Sequence, residues 1–163
     1  MFIYSIRAST VKFFGFVLLT LALIIGVVSA SGSSSVLAAS TGLDIDYGGM
    51  KDNADRVEFI EQFGITVDSE PIEEKAFKMP DNFDRVILGY NELQKKQGLD
   101  LSKYERRKVT RYTYRVTNYD SDGEVYANIF VYRGKIVACD ISSADPDGFV
   151  YPLALVDRAK LKK

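Results

Sequence analysis

Arg111-Tyr112-Thr113-Tyr114-Arg115-Val116 decides the fold of the segment that follows the leader. Tyr112, Tyr114 and Val116 alternate with Arg111, Thr113 and Arg115, which is the two-residue period of a β-strand with one apolar and one polar, basic face. Asp120-Ser121-Asp122-Gly123 follows as turn chemistry, because short acidic side chains hydrogen-bond their own backbone and Gly accepts any φ. Val125 to Tyr132 then reads as a second strand, Arg133-Gly134 as a tight turn and Ile136 to Ile141 as a third strand. The result is an antiparallel meander.

Working outward toward the N-terminus, Phe83, Val86, Ile87, Tyr90, Leu93 and Gln94 mark one face of a helix that can begin at Pro80 and runs to Gln97 before Gly98. Ile65 to Val67 and Ile72 to Lys78 read as extended segments broken at Glu70-Pro71, hence as a broken or edge strand. Val57, Ile60 and Phe63 have helical spacing after a cap at Asp52 or Asn53, with Gly64 at the C-terminal end, so a first helix is expected over about 53–63. The expected class is α+β, in the order helix-strand-helix-strand-strand-strand, with both helices packed on one face of a small antiparallel sheet in two layers.

Phe13 to Ala30 is a run of uncharged residues, preceded by Arg7 and Lys12 and followed by Ser31-Gly32-Ser33-Ser34-Ser35. At about 1.5 Å per residue its helix is about 27 Å long, near the thickness of a bilayer's hydrocarbon core. A single-pass signal anchor is expected, with a secretory peptide cut after Ala30 as the alternative, since Val28-Ser29-Ala30 suits such a site. No Lys or Arg follows the run until Lys51, so the N-terminus is expected in the cytoplasm and the rest outside it. The expected division is a leader over 1–30, a Ser/Gly/Ala-rich tether over 31–49 and an extracytoplasmic domain over 50–163.

Without Arg7 and Lys12, the 21 basic residues of the chain fall to 19 against 22 acids, a balance of −3 that argues against nucleic acid as a partner. The chain has no His, which removes Ser-His and Cys-His catalysis and His-based zinc sites. It has one cysteine, Cys139, and so forms no intrachain disulfide; on a predicted strand the thiol is expected in the core. No cofactor is indicated.

Asp55-Arg56-Val57-Glu58-Phe59, Gln62-Phe63-Gly64, Pro71 to Lys75, Tyr90-Asn91, Gln94 to Gly98, Lys108 to Tyr114 and Ser143 to Pro146 together resemble the domain-of-unknown-function family 4830. The resemblance covers most of residues 50–150 and implies an exported or membrane-anchored setting of the clostridial, Gram-positive kind. It implies no activity, substrate or catalytic residue.

Candidate site residues are few. Asn118, Asp120 and Asp122 match the start of a calcium loop, with Gly123 at its sixth position, but the twelfth is Ile129 where the loop needs an acid, so a turn is the expected role. Asp140 and Asp145 are the carboxylates that a hydrolase of wall material would need to bring together. Arg111, Tyr112 and Arg115 belong to a basic and aromatic group, with Lys103, Tyr104, Arg106, Arg107 and Lys108, suited to an anionic wall polymer or lipid headgroup. The expected function is a tethered binding or interaction module without catalysis, for a protein or wall ligand. The alternatives are a carboxylate-dependent hydrolase and a structural spacer of a membrane complex.

Overall fold

A computed structural model describes residues 45–145 and 147–162. The expected leader over 1–30, as anchor or signal helix, lies outside the described residues, and among these no helix is long and apolar enough to cross a membrane. The class is α+β. Helix α1 (Asn53–Glu61) is followed by β1 (Glu73–Lys78), α2 (Arg85–Lys95), β2 (Lys108–Arg115), β3 (Val125–Tyr132), β4 (Lys135–Ser143) and β5 (Val150–Pro152). All five strands form one antiparallel sheet in the order β1-β2-β3-β4-β5, so every strand neighbours the one before it.

Local chemistry sets the ends of the elements. Asp52 caps α1 in a reciprocal capping box, its side chain accepting from Asp55 N while Asp55 accepts from Asp52 N. Gly64 stops the following turn at φ +81, a left-handed conformation that favours glycine. Helix α2 begins at Arg85 rather than at Pro80, because the Asp84 carboxylate accepts from Ile87 N and fixes the first turn there. Between β3 and β4, Arg133 and Gly134 have φ 49 and 72, the two positive values of a tight hairpin turn whose twist matches its strands.

The core has two parts. Val125, Ala127 and Ile129 of β3 join Tyr114, Cys139 and Ile141 against Phe59, Ile60 and Phe63 of the α1 region. Phe130 and Tyr132 join Val109, Val137 and Ala138 against Phe83 and Tyr90 of the α2 region. Odd and even residues of one strand point to opposite faces, so α1 and α2 cover opposite sides of the sheet. This corrects the two-layer expectation: the domain has three layers, and the sheet is a core element with both faces in use.

Two further differences have physical causes. The fifth strand is only three residues long and ends in Pro152, too short for a period to appear in sequence. Ile45, Tyr47 and Met50 pack on the α1-side core, and Tyr47 O accepts from Ile136 N, so residues 45–49, which composition assigns to the tether, line the sheet.

Beyond β5 the edge of β4 is closed by side chains. Gln94 Oε1 accepts from Cys139 N at 3.0 Å, and Gln97 Nε2 donates to Cys139 O at 2.7 Å. Gln97 Nε2 also donates to Gln94 Oε1 at 2.7 Å, while Gln97 Oε1 accepts from Ala154 N at 3.2 Å and Tyr47 O–H donates to Gln97 O at 2.6 Å. Two glutamines at the end of α2 therefore replace the strand that β5 is too short to supply.

Candidate functional site

The strand register lines up Glu73, Thr113, Asn128 and Asp140 across β1, β2, β3 and β4, ending against Pro152 on β5. They lie on the α2 face, since Thr113 and Asn128 keep the parity of Val109 and Phe130. Thr113 Oγ1 donates to Asn128 Oδ1 at 2.8 Å, and Asn128 Nδ2 donates to Asp140 Oδ1 at 2.9 Å and to Ser142 Oγ at 3.1 Å. From α2, Tyr90 O–H donates to Asp140 Oδ2 at 2.6 Å. Arg111 stands two residues from Thr113 on the same face, 8% exposed, and its guanidinium pairs with Glu73.

Burial is the main influence on Asp140, which is 4% exposed, and it pushes the carboxyl above its usual value. Hydrogen bonds from Tyr90, Asn128 and Ser142 and the charge of Arg111 act in the opposite direction. Burial also raises the Tyr90 phenol, with Asp140 adding to the rise, so Tyr90 remains a hydrogen-bond donor at neutral pH. Cys139 is fully buried on the other face, and burial followed by the Asp140 charge holds its thiol well above the usual range. It is a core group with no thiolate to offer.

The basic and aromatic residues predicted from sequence are divided by this arrangement. Arg111 is buried beside the polar row, and Tyr112 is on the opposite face, with the Arg56 guanidinium 3.9 Å from its ring centroid. Arg115 is half-exposed between Asp68 at 3.8 Å and Glu124 at 3.7 Å, and Arg106 pairs with Asp81 at 3.3 Å. The continuous basic face expected from the strand period is therefore interrupted by burial and by acids.

The acidic residues behave in the opposite way. The loop after β2 and the loop after β4, separate in sequence, meet around a cleft of about 370 Å³ lined by Asp120, Ser121, Asp122, Ser143, Asp145, Asp147, Gly148, Phe149 and Lys160. Phe149, the one aromatic residue of that lining, stacks on Tyr151 with centroids 5.0 Å apart. A Cβ on Gly148 would come within 2.4 Å of Ser143 Cβ, so the loop closes only with glycine there. Asp120 pairs with Lys162 at 2.9 Å, which lowers its pKa. Asn118 is not directed to a metal: its Oδ1 accepts from Thr66 N at 2.8 Å and its Nδ2 donates to Gly64 O at 2.9 Å. Among the described residues no group of three His, Cys, Asp or Glu is placed to hold a metal ion.

Asp145 lines this cleft and Asp140 does not, so the two carboxylates singled out for hydrolysis occupy different surroundings. The partners of Asp140 were missed in sequence because Tyr90 and Asn128 are 50 and 12 residues away from it. Only the strand register brings them together.

No curated protein and no solved structure matches the chain. A family model described as "Domain of unknown function (DUF4830)" matches residues 59–141, just over half of the chain, from the end of α1 into β4. That span holds Glu73, Tyr90, Arg111, Thr113, Asn128 and Asp140, the whole polar row apart from Ser142, as well as the two glutamines that close β4. The chain belongs to this DUF4830 family.

Proposed function

We propose that the chain is a binding module held at the outer face of a membrane by residues 13–30, with residues 31–44 as tether and a domain that presents the cleft between the β2–β3 and β4–β5 loops. The uncharged run from Phe13 to Ala30, with Arg7 and Lys12 before it, supports the anchor and its orientation. The alternative, secretion after a cut at Ala30, puts the same domain outside the cytoplasm. The observation that carries the binding reading is the cleft, where Asp120, Asp122, Asp145 and Asp147 share one opening with two serines, Lys160 and the Phe149 ring. Such a lining suits a ligand rich in amines and hydroxyls that also has a carboxylate for Lys160, as peptide-bearing wall material does.

The hydrolase reading is weaker. Glycosidase chemistry needs two carboxyls flanking one bond, whereas Asp140 is enclosed by Tyr90 and Asn128 and Asp145 belongs to the cleft. A spacer role in a membrane complex has no feature of its own to support it.

The test is co-sedimentation of the full-length chain, in mild detergent, with peptidoglycan stripped of anionic polymers. Binding is expected, and Asp145→Asn combined with Asp147→Asn should lower the bound fraction about fivefold, the loss expected for roughly 1 kcal/mol of charge-assisted contact. Absence of sedimentation, or sedimentation unaffected by the double variant, would remove the cleft as the wall-binding site.

A further inference from the structure

Strand β1 is an outer strand of the sheet. Met79 N donates to Arg107 O at 2.8 Å and Met79 O accepts from Arg106 N at 3.0 Å, so both backbone groups of Met79 face β2 across a one-residue bulge at the end of the β1–β2 register. In an antiparallel pair such positions alternate, so Phe77, Lys75 and Glu73 bond to β2. The backbone N–H and C=O groups of Glu74, Ala76 and Lys78 consequently point away from the sheet, and all three residues are exposed. Three outward pairs of backbone groups form a template for another strand.

We propose that this edge pairs with the same edge of a second copy of the chain, antiparallel, with Ala76 opposite its own counterpart and Glu74 opposite Lys78 of the other copy. The register follows from parity and charge. Residues with outward-facing backbone must meet one another, so only even-numbered residues form the bonded pairs across the junction. Centring on Ala76 sets Glu74 against Lys78 twice, on one face, directly opposite. Centring on Glu74 or on Lys78 opposes like charges, and centring on Lys75 sets two lysines face to face. Centring on Phe77 brings Pro80 against Glu74, where the ring has no N–H to give. Charges of a single sign on an edge prevent self-association, but the sequence Glu73-Glu74-Lys75-Ala76-Phe77-Lys78 carries both signs in a self-complementary order. The two sheets would become one of ten strands about a two-fold axis.

Cross-linking through a cysteine on that axis tests the proposal with the full-length chain in detergent. In Ala76→Cys the two Cα atoms would be about 5.5 Å apart, within disulfide range, while native Cys139 is buried and does not compete. Oxidation should convert most of this variant to a covalent dimer. Adding Glu74→Lys should lower the dimer yield at least about fivefold, and adding Lys78→Glu as well should restore it, since opposed charges return in reversed order. All three positions are exposed, and an unchanged circular dichroism spectrum confirms that each variant is folded. No dimer from Ala76→Cys, or a yield indifferent to the charge changes, would overturn the proposal; the second outcome is what association through the leader alone would give.

Discussion

Replacing Asp140 by Ala is expected to destabilise the domain by about 3 kcal/mol or more. The carboxylate accepts from Tyr90 O–H and Asn128 Nδ2, both in or beside the α2-side core, and its charge faces Arg111. Truncation leaves two donors without this acceptor, leaves Arg111 to Glu73 as its paired acid, and opens space under α2. Asp140→Asn keeps an acceptor for Tyr90 and fills the same volume, so its loss should be nearer about 1 kcal/mol. The pH dependence separates the charge from the shape. Because the folded pKa of Asp140 lies above its unfolded value, the folded state binds the proton more tightly, and this residue's contribution to stability falls as pH rises from about 4 through the folded pKa. The Asn variant lacks that slope, so the gap between wild type and Asp140→Asn should narrow with rising pH over that window. Urea unfolding of the full-length chain, followed by tyrosine near-ultraviolet circular dichroism, reads both effects. A loss below about 1 kcal/mol for Asp140→Ala would show that the row does not hold α2 to the sheet.

Gln94→Ala should have an effect of similar size, about 3 kcal/mol. Gln94 is fully buried, and its Oε1 receives both Cys139 N–H and Gln97 Nε2–H. Removing it leaves a buried backbone donor of β4 unsatisfied, a penalty of about 1–3 kcal/mol, and adds a cavity. Gln94→Met retains most of the volume without the acceptor, so it isolates the hydrogen-bond part and should lose about 2 kcal/mol. Hydrogen exchange adds a positional signature. The amides of Cys139 and Ala154 should lose protection before those in the middle of β2 and β3, because Gln97 depends on Gln94 for its orientation and holds Ala154 N. A uniform loss across the sheet would mean that the glutamines fill space rather than close an edge.

Much of this architecture is legible where a period repeats. The two-residue alternation of Tyr112, Tyr114 and Val116 and the Arg133-Gly134 turn lead directly to β2, β3 and β4, and the spacing of Val86, Tyr90 and Gln94 leads to α2. The placement of helices on both faces is less visible, because Phe130, Tyr132, Val137 and Ala138 must be recognised as a second apolar surface inside strands already assigned to one core. The burial of Arg111 depends on Glu73 reaching it from a strand 38 residues earlier, a distance no local pattern encodes. The cleft shows the same limit. Asp120, Asp122, Asp145 and Asp147 each look like turn residues, and only the meander brings their two loops together.

Extracytoplasmic placement of the domain is tested most directly by cysteine labelling in intact cells with a membrane-impermeant maleimide. Cys139 is buried and gives a low background, so one introduced thiol can report on each side. Lys103→Cys, at an exposed site in the domain, should label in intact cells, whereas Ser5→Cys, ahead of the apolar run, should label only after the membrane is opened. Labelling of Ser5→Cys in intact cells while Lys103→Cys remains protected would reverse the topology and contradict an outward-facing binding module.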